Sequence, residues 1–276
     1  MKELNIEEVK KIQLSILQYI DRVCEENGIP YYLCGGTLIG AIRHKGYIPW
    51  DDDIDIMLLR PDYMKLLSVL ESNDTYKCLS MYNQSDYYYP FAKVIDSRTE
   101  LVEKNSSYRI QNYGVYVDIF PIDSLPDDNE KRHVHYQKIL KIRKTYYLSL
   151  SRKIPSIGNL LKYPPKFCLW VYSRIKGWKY WLEKIEELAK MYSNEDSEYV
   201  GCVVAGYGEK ETYHRSLYAR QIKVPFEEYV FAIPQGYDEY LTCLYGDYMK
   251  LPPIEKRITR HDFVAYIKED RKKAIQ

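Results

Sequence analysis

The chain has 276 residues, of which 40 are Lys or Arg and 39 are Asp or Glu, giving a formal net charge of +1. This length allows a sizeable core without disulfides, and the near-neutral charge gives no general attraction to nucleic acid, so we expect no nucleic-acid partner. The six cysteines include no Cys-x-x-Cys pair, which argues against a zinc knuckle and indicates a reducing cytoplasm.

The first half of the chain alternates between helix and strand patterns. Residues 6–27 carry apolar side chains at helical spacing, with Asn5 placed to cap the helix and Gly28 placed to end it. A glycine turn and a short helix are expected in 35–46, and another helix after Pro61. Short apolar strands are expected at 31–34, 54–59, 76–81, 90–95 and 115–120.

From Asp127 onward the pattern becomes mostly helical. Residues 128–150 and 166–194 carry helical periodicity and many charges, and one strand is expected within 224–233. We therefore interpret residues 1–126 as an α/β catalytic core. Residues 127–276 are interpreted as a mostly helical subdomain that completes the active site and its acceptor side.

Aspartates crowd residues 51–55, directly before an apolar strand. On an extended strand Asp51, Asp53 and Asp55 would share one face, about 6.6 Å from one to the next. Such a row of anions is unfavourable unless a cation or solvent screens it. Carboxylate oxygens without His or Cys favour Mg²⁺ or Mn²⁺. A solvated loop is the alternative interpretation.

In the apolar segment 115–120, Asp118 is the one charged residue. A carboxylate buried without a partner is costly. Asp118 is therefore either a hydrogen-bonded core acid or a further metal ligand, supplied by a strand next to the aspartate run.

A phosphate-binding segment is expected at the helix that follows the first short strand. Backbone N–H groups and a hydroxyl at its start favour an anion, and the basic residues at its end could reach a phosphate or serve the helix dipole. The candidate residues are Gly35, Gly36, Thr37, Arg43, His44 and Lys45. Together with the acidic strands, this segment is typical of a polymerase-β-like nucleotidyltransferase, an α/β (α+β) fold with a mixed sheet and metal-assisted attack on phosphorus.

The sequence resembles the LicD family of phosphotransferases, which is distantly related to fukutin. The resemblance rests on GGTLIGAIRHKGYIPWDDDIDI at 35–56, VYVDIFPID at 115–123 and VPFEEYVFAIPQGYDEYLTCLYGDYMKLPP at 224–253. It implies transfer of phosphocholine from CDP-choline to a sugar hydroxyl of a cell-surface glycoconjugate, such as teichoic acid or lipopolysaccharide. The metal ligands that it implies are Asp51, Asp53, Asp55 and Asp118.

The same resemblance implies catalytic roles for Asp53, Asp55 and Asp118. Asp118 is our preferred base for the acceptor proton, and His44 is the alternative. Two other functions stay open: a nucleotidyltransferase that moves the nucleotide itself to a small acceptor, and a non-catalytic scaffold of the same fold that binds sugar or lipid.

Two aromatic segments suggest contacts with substrate and membrane. Tyr87 and Tyr89 would lie on one side of an extended segment and could enclose choline, although the chain contains 30 tyrosines and a chance cluster is the alternative. Residues 158–182 combine tryptophans with basic residues, as interfacial helices do, although core packing is the alternative. We therefore expect a cytoplasmic protein that meets a lipid-linked glycan acceptor at the inner face of the membrane.

Overall fold

The computed structural model describes residues 1–70, 73–104, 108–151, 164–193, 195–259 and 262–268. Its α-helices are α1 (Ile6–Asn27), α2 (Gly35–Ile39), α3 (Arg60–Val69), α4 (Asn129–Leu150), α5 (Pro164–Ala189) and α6 (Tyr237–Tyr245). Its strands are β1 (Lys2–Glu3), β2 (Tyr32–Leu33), β3 (Asp55–Leu59), β4 (Tyr76–Leu79), β5 (Ala92–Asp96), β6 (Thr99–Glu103), β7 (Tyr116–Leu125), β8 (Tyr199–Gly201), β9 (Tyr213–His214), β10 (Gln221–Phe226), β11 (Tyr229–Pro234) and β12 (Phe263–Ile267).

Helix α1 has the start and the end that the sequence predicts. The Asn5 side chain accepts the N–H of Glu8, and the Glu8 carboxylate accepts the N–H of Asn5. At the other end Gly28 adopts a φ of 60°, a left-handed conformation that glycine tolerates easily. Both caps involve residues close in sequence, so the prediction from local pattern is confirmed.

A mixed sheet forms the centre of the fold. Its strands follow the order β2-β3-β7-β5-β4, and β8 and β9 extend it from the far end of β7. Strands β3 and β7 run parallel, whereas the other neighbours are antiparallel. Helices α1 and α3 pack against β7, and Ile56, Val117 and Ile119 are completely buried. The α/β class predicted from the sequence is confirmed.

The later part of the chain contains more strand than predicted. The single strand expected within 224–233 is a hairpin of β10 and β11, and β12 pairs with β6 of the first half. The hairpin turn contains Glu227 at a φ of 53° in place of the Asn or Gly that usually marks such turns. Contacts distant in sequence hold this turn, because Glu227 donates its N–H to the Lys45 carbonyl and accepts the Tyr47 N–H on its carboxylate.

Three elements are joined by a buried ion network around Arg60 at the start of α3. Its guanidinium donates to both carboxylate oxygens of Asp123 on β7, at 2.6 and 3.0 Å, and to Glu186 on α5 at 3.1 Å. Arg60 is 4% exposed and Asp123 is fully buried. The network therefore ties the helical segment to the end of the central strand.

The segment predicted to touch a membrane serves partly as core. Its residues 158–163 lie outside the described part of the chain. Trp181 is buried and donates its indole N–H to the Ser173 carbonyl at 3.0 Å, so it is a core residue and the expected interfacial role is wrong for this side chain. Leu169, Tyr172 and Ile175 on α5 are exposed instead. Within the ranges that the structure describes, no helix combines the length and apolar character needed to cross a bilayer.

Candidate active site

Three neighbouring strands bring charged side chains into one row. The Asp55 position on β3 pairs with Asp118 on β7, and Asp118 pairs with Lys93 on β5. Residues paired across adjacent strands project from the same face of a sheet, so these three side chains lie side by side. The expectation that Asp118 comes from a strand next to the acidic segment is confirmed.

The aspartate run is irregular before Asp55, and the predicted alternation of Asp51, Asp53 and Asp55 along one strand is wrong. Strand β3 begins only at Asp55. Carboxylate oxygens of Asp51, Asp52 and Asp53 lie within 4.8 Å of one another. Strand alternation assigned Asp52 to the opposite face, so sequence reasoning missed that it joins this cluster.

A buried glutamine forms a hydrogen bond with the backbone of the acidic segment. Gln13 on α1 is 2% exposed and donates from its side chain to the Asp52 carbonyl at 2.9 Å. Its own carbonyl accepts the Tyr47 hydroxyl at 3.1 Å. The shape of the acidic segment therefore depends on contacts with the core, which periodicity does not reveal.

The glycines of the first motif make room for carboxylates. Gly35, the first residue of α2, has a left-handed φ of 56°, so the chain turns at this glycine as predicted and enters the helix without a separate loop. A Cβ on Gly36 would lie 2.5 Å from Asp51 Oδ2, which is a steric clash, and one on Gly35 would lie 3.4 Å from Asp55 Oδ2. Thr37 is buried, and its hydroxyl accepts the Asp55 N–H at 2.9 Å. These residues shape the acidic centre, and their contact with a phosphate stays a prediction.

The basic residues after α2 have partners within the chain. Arg43 donates to the Tyr248 carbonyl at 2.5 Å, and Lys45 donates to the Ile42 carbonyl at 3.2 Å. Arg43 therefore anchors the segment that follows α6, which was not expected from the sequence. The Arg43 Nε also donates to Nδ1 of His44 at 3.4 Å, and burial together with the Arg43 charge lowers the pKa of His44.

Lys93 is a buried cation that sequence reasoning missed. Its side chain is 2% exposed, and its ammonium donates to the Asp118 carboxylate. The same ammonium lies 3.5 Å from the ring centroid of Tyr116 and 4.5 Å from that of Tyr89, where cation–π attraction stabilises it. The sequence does contain a sign of this role, since Lys93 is a charged residue inside an apolar strand, as Asp118 is.

The two tyrosines predicted to enclose choline are close together but have internal partners. Their ring centroids lie 5.7 Å apart. Tyr87 is 1% exposed and donates to the Phe91 carbonyl at 2.8 Å, whereas Tyr89 donates to Glu103 at 2.6 Å and holds Lys93 against its ring. The structure thus gives this pair a core role and an internal cation in place of an open choline pocket.

Burial and crowding of charge act together on Asp55. Burial raises the pKa of Asp55 well above its usual range, the carboxylates of Asp53, Asp118 and Asp51 raise it further, and Lys93 opposes them. The centre offers oxygen donors from carboxylates without His or Cys, which is the donor chemistry that Mg²⁺ and Mn²⁺ prefer.

Comparison with known proteins gives consistent matches. The family model described as LicD/FKTN/FKRP, nucleotidyltransferase domain, matches residues 28–166, a range that includes the strand row and the aspartate cluster. The chain is 31% identical over 275 residues to the lipopolysaccharide cholinephosphotransferase LicD of Haemophilus influenzae. This alignment covers 97% of this chain and 100% of that protein. It is 27% identical over 176 residues to the uncharacterized protein RP689 of Rickettsia prowazekii, covering 59% of this chain and 61% of that one.

A shorter match extends to mammals. The chain is 44% identical over 45 residues to the human ribitol 5-phosphate transferase FKRP, which covers 16% of this chain and 9% of that protein. The family model and the nearly full-length bacterial relative agree with each other and with the observed mixed sheet. The chain therefore belongs to the LicD family of phosphotransferases and has the nucleotidyltransferase-type α/β fold of that family.

Proposed function

We propose that this chain transfers phosphocholine from CDP-choline to a sugar hydroxyl of a cell-surface glycan, of the lipopolysaccharide or teichoic acid type, and releases CMP. The observation that carries the proposal is the 31% identity to the lipopolysaccharide cholinephosphotransferase, which spans 97% of this chain and the whole of that relative. The likeness therefore includes both the acidic centre and the later segments that surround it.

The acidic centre supports a divalent-metal site, with Mg²⁺ or Mn²⁺ held by Asp51, Asp53, Asp55 and Asp118. The donors are carboxylates, and the absent Cβ of Gly36 keeps space beside Asp51. When bound, the metal would polarise the phosphoryl oxygens and offset the negative charge that develops on the departing CMP. Asp52 shares an oxygen cluster with Asp51 and Asp53 and is a further candidate ligand, while Asp55 and Asp118 are paired on neighbouring strands.

Transfer requires one bond to form and one to break. The acceptor hydroxyl oxygen bonds to the phosphorus that carries choline, and the bond from that phosphorus to the CMP oxygen breaks. The acceptor proton passes to a base, for which Asp118 is better placed than His44. Asp118 lies on β7 directly opposite Asp55 of the proposed metal site, whereas His44 lies beyond the end of α2.

Product analysis tests the reaction. Incubation of the full chain with Mg²⁺, CDP-choline labelled in its choline, and extracted glycan acceptors is expected to give labelled glycan and free CMP. Nucleotide attached to the acceptor would show a nucleotidyltransferase instead. Absence of any metal-dependent product with every acceptor pool would favour the non-catalytic scaffold.

Replacement of Asp53 or Asp55 by Asn is expected to lower turnover at least about 100-fold, because charge on the leaving group loses its stabilisation. Without added metal, the unfolding free energy should stay equal or rise, since a repulsive charge has been removed. Steady-state kinetics and denaturant titration measure the two effects, with the exposed Asp74→Asn as the matched control. Near-normal turnover of either variant in Mg²⁺ would contradict the assignment of the metal site.

Replacement of Lys93 by Met leaves Asp118 without its ammonium partner and is expected to lower the unfolding free energy by about 3–5 kcal/mol in the absence of metal. The double variant Lys93→Met with Asp118→Asn should recover most of this loss, because residue 118 then carries no charge for the missing ammonium to balance. Denaturant unfolding measures the cycle. Lys104→Met breaks an exposed ion pair and should stay within about 1 kcal/mol of the wild type. A Lys93→Met variant as stable as this control would contradict the argument.

A lipid-linked acceptor would be met at the cytoplasmic face of a membrane, and α5 offers a surface for that contact. Its exposed apolar side chains, with Ile175 at 76%, lie among exposed basic residues such as Arg174 and Lys176. Flotation with anionic vesicles at low salt is expected to carry the wild type, and Ile175→Asp should reduce the bound fraction. Val230→Asp changes an exposed apolar residue on β11 and is the matched control. Failure of the wild type to float would exclude this contact.

A further inference from the structure

Tyr207 and Tyr245 form an aromatic corner beside the acidic centre. Their ring centroids lie 5.9 Å apart, and the ring planes meet at 81°. The Tyr245 hydroxyl lies 3.8 Å from the position that a Cβ on Gly35 would occupy, and Asp55 Oδ2 lies 3.4 Å from that same position. The corner therefore adjoins a carboxylate of the proposed metal site, with a glycine keeping the space between them open.

The backbone around Tyr207 is held by hydrogen bonds although the residue is 56% exposed. The Tyr207 N–H donates to Glu211 at 2.9 Å, and Arg143 donates to the Gly206 carbonyl at 3.2 Å. Gly206 has a φ of 75°, and a Cβ there would overlap the Glu211 carboxylate. Burial raises the pKa of Glu211 to about 7. An exposed aromatic ring on a fixed backbone requires little ordering when a ligand binds.

Other aromatic faces near the acidic centre already hold a cation of the chain. Lys93 lies 4.5 Å from the Tyr89 ring centroid, and Arg257 lies 5.4 Å from that of Trp50. Among the residues that the structure describes, no Lys or Arg is found over the rings of Tyr207 or Tyr245. This corner is therefore available to a cation supplied by a ligand.

We propose that the Tyr207–Tyr245 corner binds the quaternary ammonium of the donor's choline, an inference that rests on the proposed function. A trimethylammonium has no N–H to donate, so aromatic faces and a nearby carboxylate are the groups that recognise it. In phosphocholine one oxygen and two carbons separate the phosphorus from the nitrogen. The ammonium must therefore bind close to the groups that hold the phosphate, and the corner beside Asp55 meets this requirement.

The test compares two ligands that differ in the choline end. The full chain in Mg²⁺ is titrated calorimetrically with CDP-choline and, separately, with CMP. Tyr207→Ala is expected to weaken CDP-choline binding about 2- to 30-fold, the range of one cation–π contact, and to leave CMP binding unchanged. Tyr207→Phe keeps the ring and should bind CDP-choline more tightly than Tyr207→Ala.

Tyr147→Ala is the matched control, because Tyr147 on α4 is also exposed, at 54%, and its ring packs against that of Tyr146. It should bind both ligands as the wild type does. Unchanged affinity of Tyr207→Ala for CDP-choline, or equal weakening of both ligands, would overturn the proposal. Product analysis tests the transfer reaction and the Tyr207 comparison tests the corner, so the two failures are distinguishable, and failure of the corner would leave the transfer reaction standing.

Discussion

The parallel pairing of β3 with β7 is the contact on which the site depends. It fixes Asp55 opposite Asp118, and the antiparallel partner of β7 then places Lys93 beside Asp118. A shift of one residue in this register would turn Asp118 toward the core and a valine or isoleucine toward the site. Because Val117 and Ile119 are completely buried, the hydrophobic core specifies the register and thereby the arrangement of charges.

The neighbouring carboxylates are tolerated because a glycine leaves space beside them, hydrogen bonds hold their backbone and one ammonium group offsets part of their charge. Gly36 leaves space where a side chain would clash with Asp51. Gln13 and Thr37 form hydrogen bonds with the backbone of the acidic segment. Lys93 supplies one positive charge that is itself stabilised by aromatic rings. These contacts come from α1, α2 and β5, so the geometry of the centre is a property of the whole fold.

Local features were predictable from the sequence, whereas features set by distant contacts were not. The caps of α1, the central strands and the position of Asp118 follow from short-range signals, such as capping residues and one charge in an apolar strand. The irregular segment 51–54 and the turn at Glu227 depend on hydrogen bonds to residues far along the chain. Hydrophobic periodicity therefore assigned 51–54 to an extended strand and gave no sign of the turn. The anchoring of Arg43 by the Tyr248 carbonyl is likewise visible only in three dimensions.

The sheet formed by β1, β12 and β6 has a consequence for synthesis. Residues 263–267 pair with residues 2–3 on one side and with residues 99–103 on the other, so this sheet closes only after residue 267 has left the ribosome. Until then β6 presents an edge with unpaired backbone groups, which can recruit strands from other molecules. A fragment ending near residue 126 would lack β12 and would leave this edge of β6 without its partner.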